Sequence, residues 1–322
     1  MSNPEVTRIE ALLERIAIAL ERIVNSRSSS ETPVFVRQAT GMAIRPMNNS
    51  EDISTTSFSD VNHASLKCES IVAFLEAKGI RVKTIPPTTP ADEIIDSLSL
   101  LLGSRYTSIE KILNHIKRNM QIGGSFQLFL RDEAEEAISS ICQFCQRLYQ
   151  VSFLTDYRYE KSPKYILHAT VSSTPTAQRF FSGQWLERFI LVTIKNAIKL
   201  TAPDIQFEWL INPQIILPNG DDFELDVIVW VAEKLFWIEA KTGDFQQYID
   251  KYSRMAKLLK LPPDQTFMVL TRQSQENCHA LSSLFNITVC DVTHFTDVIQ
   301  EAFAKRVVRF FVEDTSSSYL LL

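Results

Sequence analysis

The stretch that decides the fold runs Glu224-Leu-Asp226-Val-Ile-Val-Trp-Val-Ala-Glu-Lys-Leu-Phe-Trp-Ile-Glu239-Ala-Lys241-Thr242. Two apolar runs, Val227 to Val231 and Leu235 to Ile238, flank a short polar break around Ala232 to Lys234. That pattern predicts two strands joined by a tight turn. Runs so uniformly apolar belong to strands covered on both faces. Side chains alternate along a strand, so Glu239 and Lys241 point one way while Ile238 and Ala240 point the other. Asp226, Glu239 and Lys241 therefore collect at the polar end of a buried hairpin, where charges demand partners.

Working outward, strand-like and helical segments alternate from Val151 onward. Strands are expected over Phe207 to Leu217, around the hairpin, and over Thr266 to Thr271 and Ile287 to Val292. Helices are expected over Gln184 to Leu200, Phe245 to Leu261, Ser274 to Leu284 and Phe295 to Val307. This predicts an α/β fold over residues 151–310, a mixed sheet flanked by helices, followed by a tail over 311–322. Residues 63–150 read as a mostly α-helical domain with one strand near Phe126 to Leu130. Residues 26–62, rich in Ser, Thr, Asn and Pro and without period, read as a flexible linker. Residues 1–25 carry an amphipathic helix with Ile9, Leu12, Ile16, Ala19 and Ile23 at heptad spacing. A helix this short is marginal alone. It docks either on a second copy, giving a homodimer, or on the chain's own body.

Composition narrows the function classes. The chain has 322 residues, 45% of them hydrophobic and 22% charged, as in soluble globular proteins. No window is apolar enough for a membrane span. Five scattered cysteines, an odd number, argue against a disulfide framework and for a reducing, cytoplasmic setting. Cys142-x-x-Cys145 has no second pair nearby and reads as a buried helix face. The histidines are isolated. With eight glycines there is no Gly-rich phosphate loop, so ATP-driven translocation is not expected. The net charge of -5 does not suit a passive nucleic-acid coat. Between Arg147 and Lys199, however, eight basic residues stand against three acidic ones. That run is either a phosphate-binding region or a solvated basic face.

Two carboxylates converging with one lysine suit phosphodiester hydrolysis. Asp226 and Glu239 can share a hard divalent ion, with the Ala240 carbonyl as a further ligand. Such an ion polarises the phosphate and acidifies a water. Lys241 can orient that water and offset charge in the transition state. On the following helix, Gln247, Tyr248 and Lys251 share a face that either contacts the nucleic-acid backbone or is simply solvated. The Glu-x-Lys pattern alone is weak, because an ordinary cross-strand ion pair would look the same.

Asp226 and Glu239-Ala-Lys241, preceded by a helix bearing Glu187 in Gly183-Gln-Trp-Leu-Glu187, resemble the PD-(D/E)XK nuclease superfamily. More narrowly, Phe180-Phe-Ser-Gly-Gln-Trp-Leu-Glu187, Glu224-Leu-Asp226-Val and Ile238-Glu-Ala-Lys-Thr242 are similar to the nuclease domain of CRISPR-associated ligand-gated nucleases. Leu225 stands where the superfamily's name has proline. The resemblance implies a restriction-endonuclease-like fold, a site of Glu187, Asp226, Glu239 and Lys241, and Mg²⁺ or Mn²⁺ as cofactor. It further implies nucleic acid as substrate, DNA favoured over RNA, in a defence setting. Those nucleases carry a Rossmann-like cyclic-oligoadenylate sensor, whose strand–helix alternation the N-terminal half lacks; an activating ligand or partner protein stays open. The alternative reading is a catalytically silent nucleic-acid-binding or assembly module built on a nuclease fold.

Overall fold

The computed structural model describes residues 68–304. The expected N-terminal helix over 1–25, the linker over 26–62 and the tail over 311–322 lie outside the described residues. In chain order the first elements are α1 (Glu69–Glu76), β1 (Arg81–Thr84), α2 (Asp92–Ser104), α3 (Tyr106–Asn119), β2 (Ser125–Phe129) and α4 (Glu135–Gln150). Next come β3 (Leu154–Glu160), β4 (Ile166–Val171), α5 (Pro175–Arg179), a π-helical segment (Phe180–Gln184) and α6 (Trp185–Thr201). Then follow β5 (Phe207–Ile211), β6 (Gln214–Ile216), β7 (Asp222–Glu224), β8 (Val227–Val231) and β9 (Lys234–Lys241). The last are α7 (Ile249–Leu259), β10 (Thr266–Leu270), α8 (Gln275–Phe285) and β11 (Thr288–Asp291), before a helix that starts at 295.

The hairpin forms as its sequence predicts. Val231 pairs with Lys234 across a two-residue turn in which Ala232 and Glu233 both take left-handed φ, 49° and 57°. Turns of this hand match the twist of the flanking strands, so they close hairpins without splaying them. The hairpin is the middle of a five-stranded mixed sheet ordered β11-β10-β9-β8-β5. β10 and β11 run parallel to β9, with α7 and α8 as the crossovers, while β8 and β5 run antiparallel. The mixed α/β architecture expected for this half is the one observed.

Both sheet faces are covered. Val227, Val229, Phe236 and Ile238 pack with α6 residues such as Phe189, Ile190 and Ile194 in the larger core. Ile228, Leu235 and Trp237 pack on the opposite side with α7 and with Ile71 and Leu75 of α1.

The division expected at residue 150 falls inside one compact unit. β2 supplies an edge to β4 in a three-stranded antiparallel sheet with β3, and β1 pairs with β6. The buried Arg188 of α6 donates to Asp96 (2.6 Å) and Asp92 (3.0 Å) of α2. The helices before and after residue 150 thus share a core, so this is one fold with no boundary there.

The expected strand Phe207–Leu217 also differs from what is found. It breaks at Asn212-Pro213 into β5, in the large sheet, and β6, which pairs with β1 and β7 in another. No helix among the described residues is long and apolar enough to cross a membrane.

The α2–α6 contact makes the first prediction. A Cβ on Gly103 would lie 2.2 Å from the Phe189 ring, closer than any real contact. Gly103→Ala is expected to destabilise the protein by about 1–3 kcal/mol through overpacking. The check is the denaturant midpoint, which falls while the slope of the transition stays the same.

Candidate active site

Strand register brings the charged residues together. Val227 pairs with Ile238, so one further step along the ladder sets Asp226 across from Glu239. Alternation then puts Trp237, Glu239 and Lys241 on one side of β9. Asp226 and Glu239 are both buried, Glu239 to 2% exposure. Lys241 Nζ lies 3.0 Å from Asp226 Oδ2 and 3.2 Å from Glu239 Oε2. The backbone N–H of Ala240 donates to Asp226 Oδ2 at 2.8 Å. Glu239 Oε1 accepts from the Trp237 indole N–H (2.9 Å) and from the Asp226 backbone N–H (3.3 Å). Both Glu239 oxygens are therefore engaged, whereas these bonds leave Asp226 Oδ1 aside.

Over this cluster opens a cleft of about 510 Å³. Glu187, Asn212, Glu224, Ala240, Lys241 and Arg179 line it, together with residues of the Ser182–Gln184 turn. Glu187 is carried by the first turn of α6, directly after the π-helical segment. Such irregular turns recur at functional sites because they re-aim a helix. Glu187 Oε2 accepts from Asn212 Nδ2 at 2.8 Å. The four expected site residues thus converge, Asp226, Glu239 and Lys241 by direct contact and Glu187 on the cleft wall.

The electrostatics are those of carboxylates crowded out of water. Burial first, and Asp226 second, push Glu187 up from 4.5 to about 7. Burial and Asp226 likewise raise Glu239 well above the usual carboxylate range and raise Glu224. For Lys241 burial works downward, but the Glu239 and Asp226 carboxylates outweigh it and hold the ammonium protonated. Among the described residues no three His, Cys, Asp or Glu side chains form a ready-made metal cluster. Of the carboxylates, Glu187 and Glu224 line the cleft, and Asp226 lies beneath it in contact with the lining residues Ala240 and Lys241.

Gln247, Tyr248 and Lys251 do not line the cleft. The helix begins at Ile249, so Gln247 and Tyr248 sit in the turn before it, tied by Tyr248 N–H to the Phe245 carbonyl. All three are exposed, and Lys251 Nζ sits 4.2 Å above the Phe223 ring. The α7 residue that reaches the site is Tyr252, whose buried ring centre lies 5.1 Å from Lys241 Nζ.

The basic run from Arg147 to Lys199 does not form one binding face either. Arg188 is consumed by Asp92 and Asp96, Arg158 and Lys164 pair with Glu160, and Lys195 sits 3.5 Å over Trp209. Of that run's basic residues, Arg179 lines the cleft. Trp185 is core, stacked on Tyr106 with ring centres 5.6 Å apart.

Sequence reading missed Trp237, Asn212 and Tyr252. Trp237 was within reach, two residues before Glu239 on the same face. Asn212-Pro213 signalled a turn, but nothing in the sequence aimed that turn at Glu187.

Fold and site together define a mixed α/β protein with a carboxylate–lysine cluster at the floor of a cleft beside its central sheet. No family model and no curated protein matches the chain. Among solved structures it is similar to protein VC1899 from Vibrio cholerae, with TM-score 0.52 and 20% identity. That match covers 73% of this chain and 61% of the other, so the chain spans about three-fifths of that protein's length. At this identity the likeness concerns the fold alone. A weaker match is Can2 from Sulfobacillus thermosulfidooxidans in complex with cyclic tetra-adenylate. Its TM-score is 0.48 and its identity 15%, over 72% of this chain and 58% of that one, too slight to bear on the site.

The raised Glu187 carboxyl makes the second prediction. Between pH 4.5 and 7 the folded protein holds a proton that the unfolded chain has released. Stability therefore falls as pH rises through that window. Glu187→Gln is expected to flatten this slope in EDTA and to gain roughly 3 kcal/mol over wild type at pH 8. Denaturation at pH 5 and pH 8 measures it. Equal slopes in the two proteins would contradict the assignment.

Proposed function

We propose that this chain is a divalent-metal-dependent nuclease that hydrolyses phosphodiester bonds of nucleic acid, DNA before RNA. The observation that carries the reading is Lys241 held between Asp226 and Glu239 beneath a cleft walled by Glu187. Pieces of sequence that resemble the PD-(D/E)XK pattern meet there in space. Four carboxylates (Glu187, Glu224, Asp226 and Glu239) gather around two cationic side chains, Lys241 and Arg179, an excess of negative charge in a partly dry place. The raised proton affinities of Glu187, Glu224 and Glu239 are what a site short of positive charge displays.

The donor set suits Mg²⁺ or Mn²⁺, which prefer hard oxygen ligands. Glu187, Asp226 and the Ala240 carbonyl would hold the ion. Glu239 would join them only by releasing Trp237 or Lys241, so its part includes fixing Lys241. A bound ion would supply Lewis-acid polarisation of the phosphate and a more acidic water. The chain's own residues do the rest. Lys241, kept protonated by its two carboxylates, faces the cleft and stabilises charge that builds on the phosphate oxygens. Arg179 offers a guanidinium on the wall for a neighbouring phosphate. Tyr252 and Trp237 keep water from the buried side of the cluster. A role in bacterial defence rests on the resemblance to CRISPR-associated nucleases, and a homodimer on the heptad pattern within residues 1–25.

The third prediction tests this reading. Circular and linear DNA, single-stranded DNA and RNA are incubated with Mg²⁺, Mn²⁺ or EDTA. Wild type is expected to cut with metal only, and Glu239→Ala and Lys241→Ala to cut roughly a hundredfold more slowly or worse. Full activity in Lys241→Ala would overturn the proposal. Absence of both cutting and Mn²⁺ binding in wild type would favour the silent binding module.

A further inference from the structure

We infer that Asn212 is the positioning residue that holds Glu187 beside Asp226, an inference that rests on the metal-dependent reading above. Asn212 forms the corner between β5 and β6, where its backbone is left-handed at φ 52°. The corner is strapped to the segment carrying Asp226 by two main-chain bonds. Asn212 N–H donates to the Asp226 carbonyl at 2.9 Å, and Leu225 N–H donates to the Pro213 carbonyl at 3.2 Å. From that anchored backbone the side-chain amide crosses to α6 and donates to Glu187 Oε2 at 2.8 Å. One residue thus ties a carboxylate on a helix to a carboxylate at the start of a strand.

The residue type follows from the two tasks. A left-handed corner tolerates glycine, asparagine or aspartate. Glycine would leave Glu187 unheld, and aspartate would set a carboxylate against a carboxylate. Asparagine alone of the three fits the corner and donates. The arrangement has a cost, because Asn212 Oδ1 is buried without a hydrogen-bond partner. Buried polar atoms are nearly always satisfied, and an orphan needs an explanation. Turning the amide to donate to Glu187 supplies it.

The test is a double-mutant cycle read by calorimetric Mn²⁺ titration of wild type, Asn212→Gly, Glu187→Gln and the double variant. Glycine keeps the left-handed corner, and circular dichroism verifies folding. Asn212→Gly is expected to weaken Mn²⁺ binding about tenfold, as loss of a residue that orients a ligand does. In the Glu187→Gln background the same substitution should cost nothing further, because the two residues act as a unit. Wild-type affinity in Asn212→Gly would overturn the inference while leaving the metal reading intact. So would an equal tenfold loss in both backgrounds, the mark of a general structural effect. A wild type that binds no Mn²⁺ would remove the metal reading and this inference with it.

Discussion

Two carboxylates sit inside a β-sheet, one of them 2% exposed, and the lysine between them makes this tolerable. Burial of an unpaired ion is expensive, so Asp226, Glu239 and Lys241 must stay in contact in every folded molecule. Contact depends on register. A shift of one residue between β8 and β9 would turn Glu239 and Lys241 towards the aliphatic side of the sheet, against Val227, Val229 and the α6 residues, and move Phe236 and Ile238 out of that core. The two-residue turn at Ala232-Glu233 and the apolar alternation on both faces exclude that shift. The charged cluster and the hydrophobic core therefore specify one and the same pairing.

The same constraint separates the tasks of the carboxylates. Glu239 is bonded on both oxygens and cannot move without loss, whereas Glu187 stands on the cleft wall with a single amide holding it. One is a foundation and the other an adjustable surface. Glu224, two residues before Asp226, adds a second acidic wall that faces the cleft beside its partner Gln214. The acidic groups thus grade from rigid and buried at Glu239 to accessible at Glu187 and Glu224.

Much of this was legible in the sequence, for physical reasons that differ from residue to residue. The hairpin announced itself through its period and composition, and its length set Asp226 opposite Glu239. The start of α7 was misplaced by four residues because Phe245 to Tyr248 carry helix-compatible side chains yet close a turn instead. The contact of Asn212 with Glu187 was invisible because it depends on a backbone angle and on a neighbour twenty-five residues away. The unity of the two halves was hidden for a related reason: strand pairing between β2 and β4 leaves no trace in the composition of either.

That interleaving bears on how the chain is made. The N-terminus of α1 is held by Glu208, which accepts from Ser70 N–H at 2.9 Å and Ile71 N–H at 3.1 Å across 138 and 137 positions of chain. β1 likewise waits for β6. At ribosomal speeds of about 5–20 residues per second, the partners of these early segments emerge roughly seven to thirty seconds later. During that interval Ile71 and Leu75, wholly buried in the finished protein, have no sheet to rest on. The first described helix of this fold is thus among the last to be completed, its apolar face uncovered until the central sheet has been made.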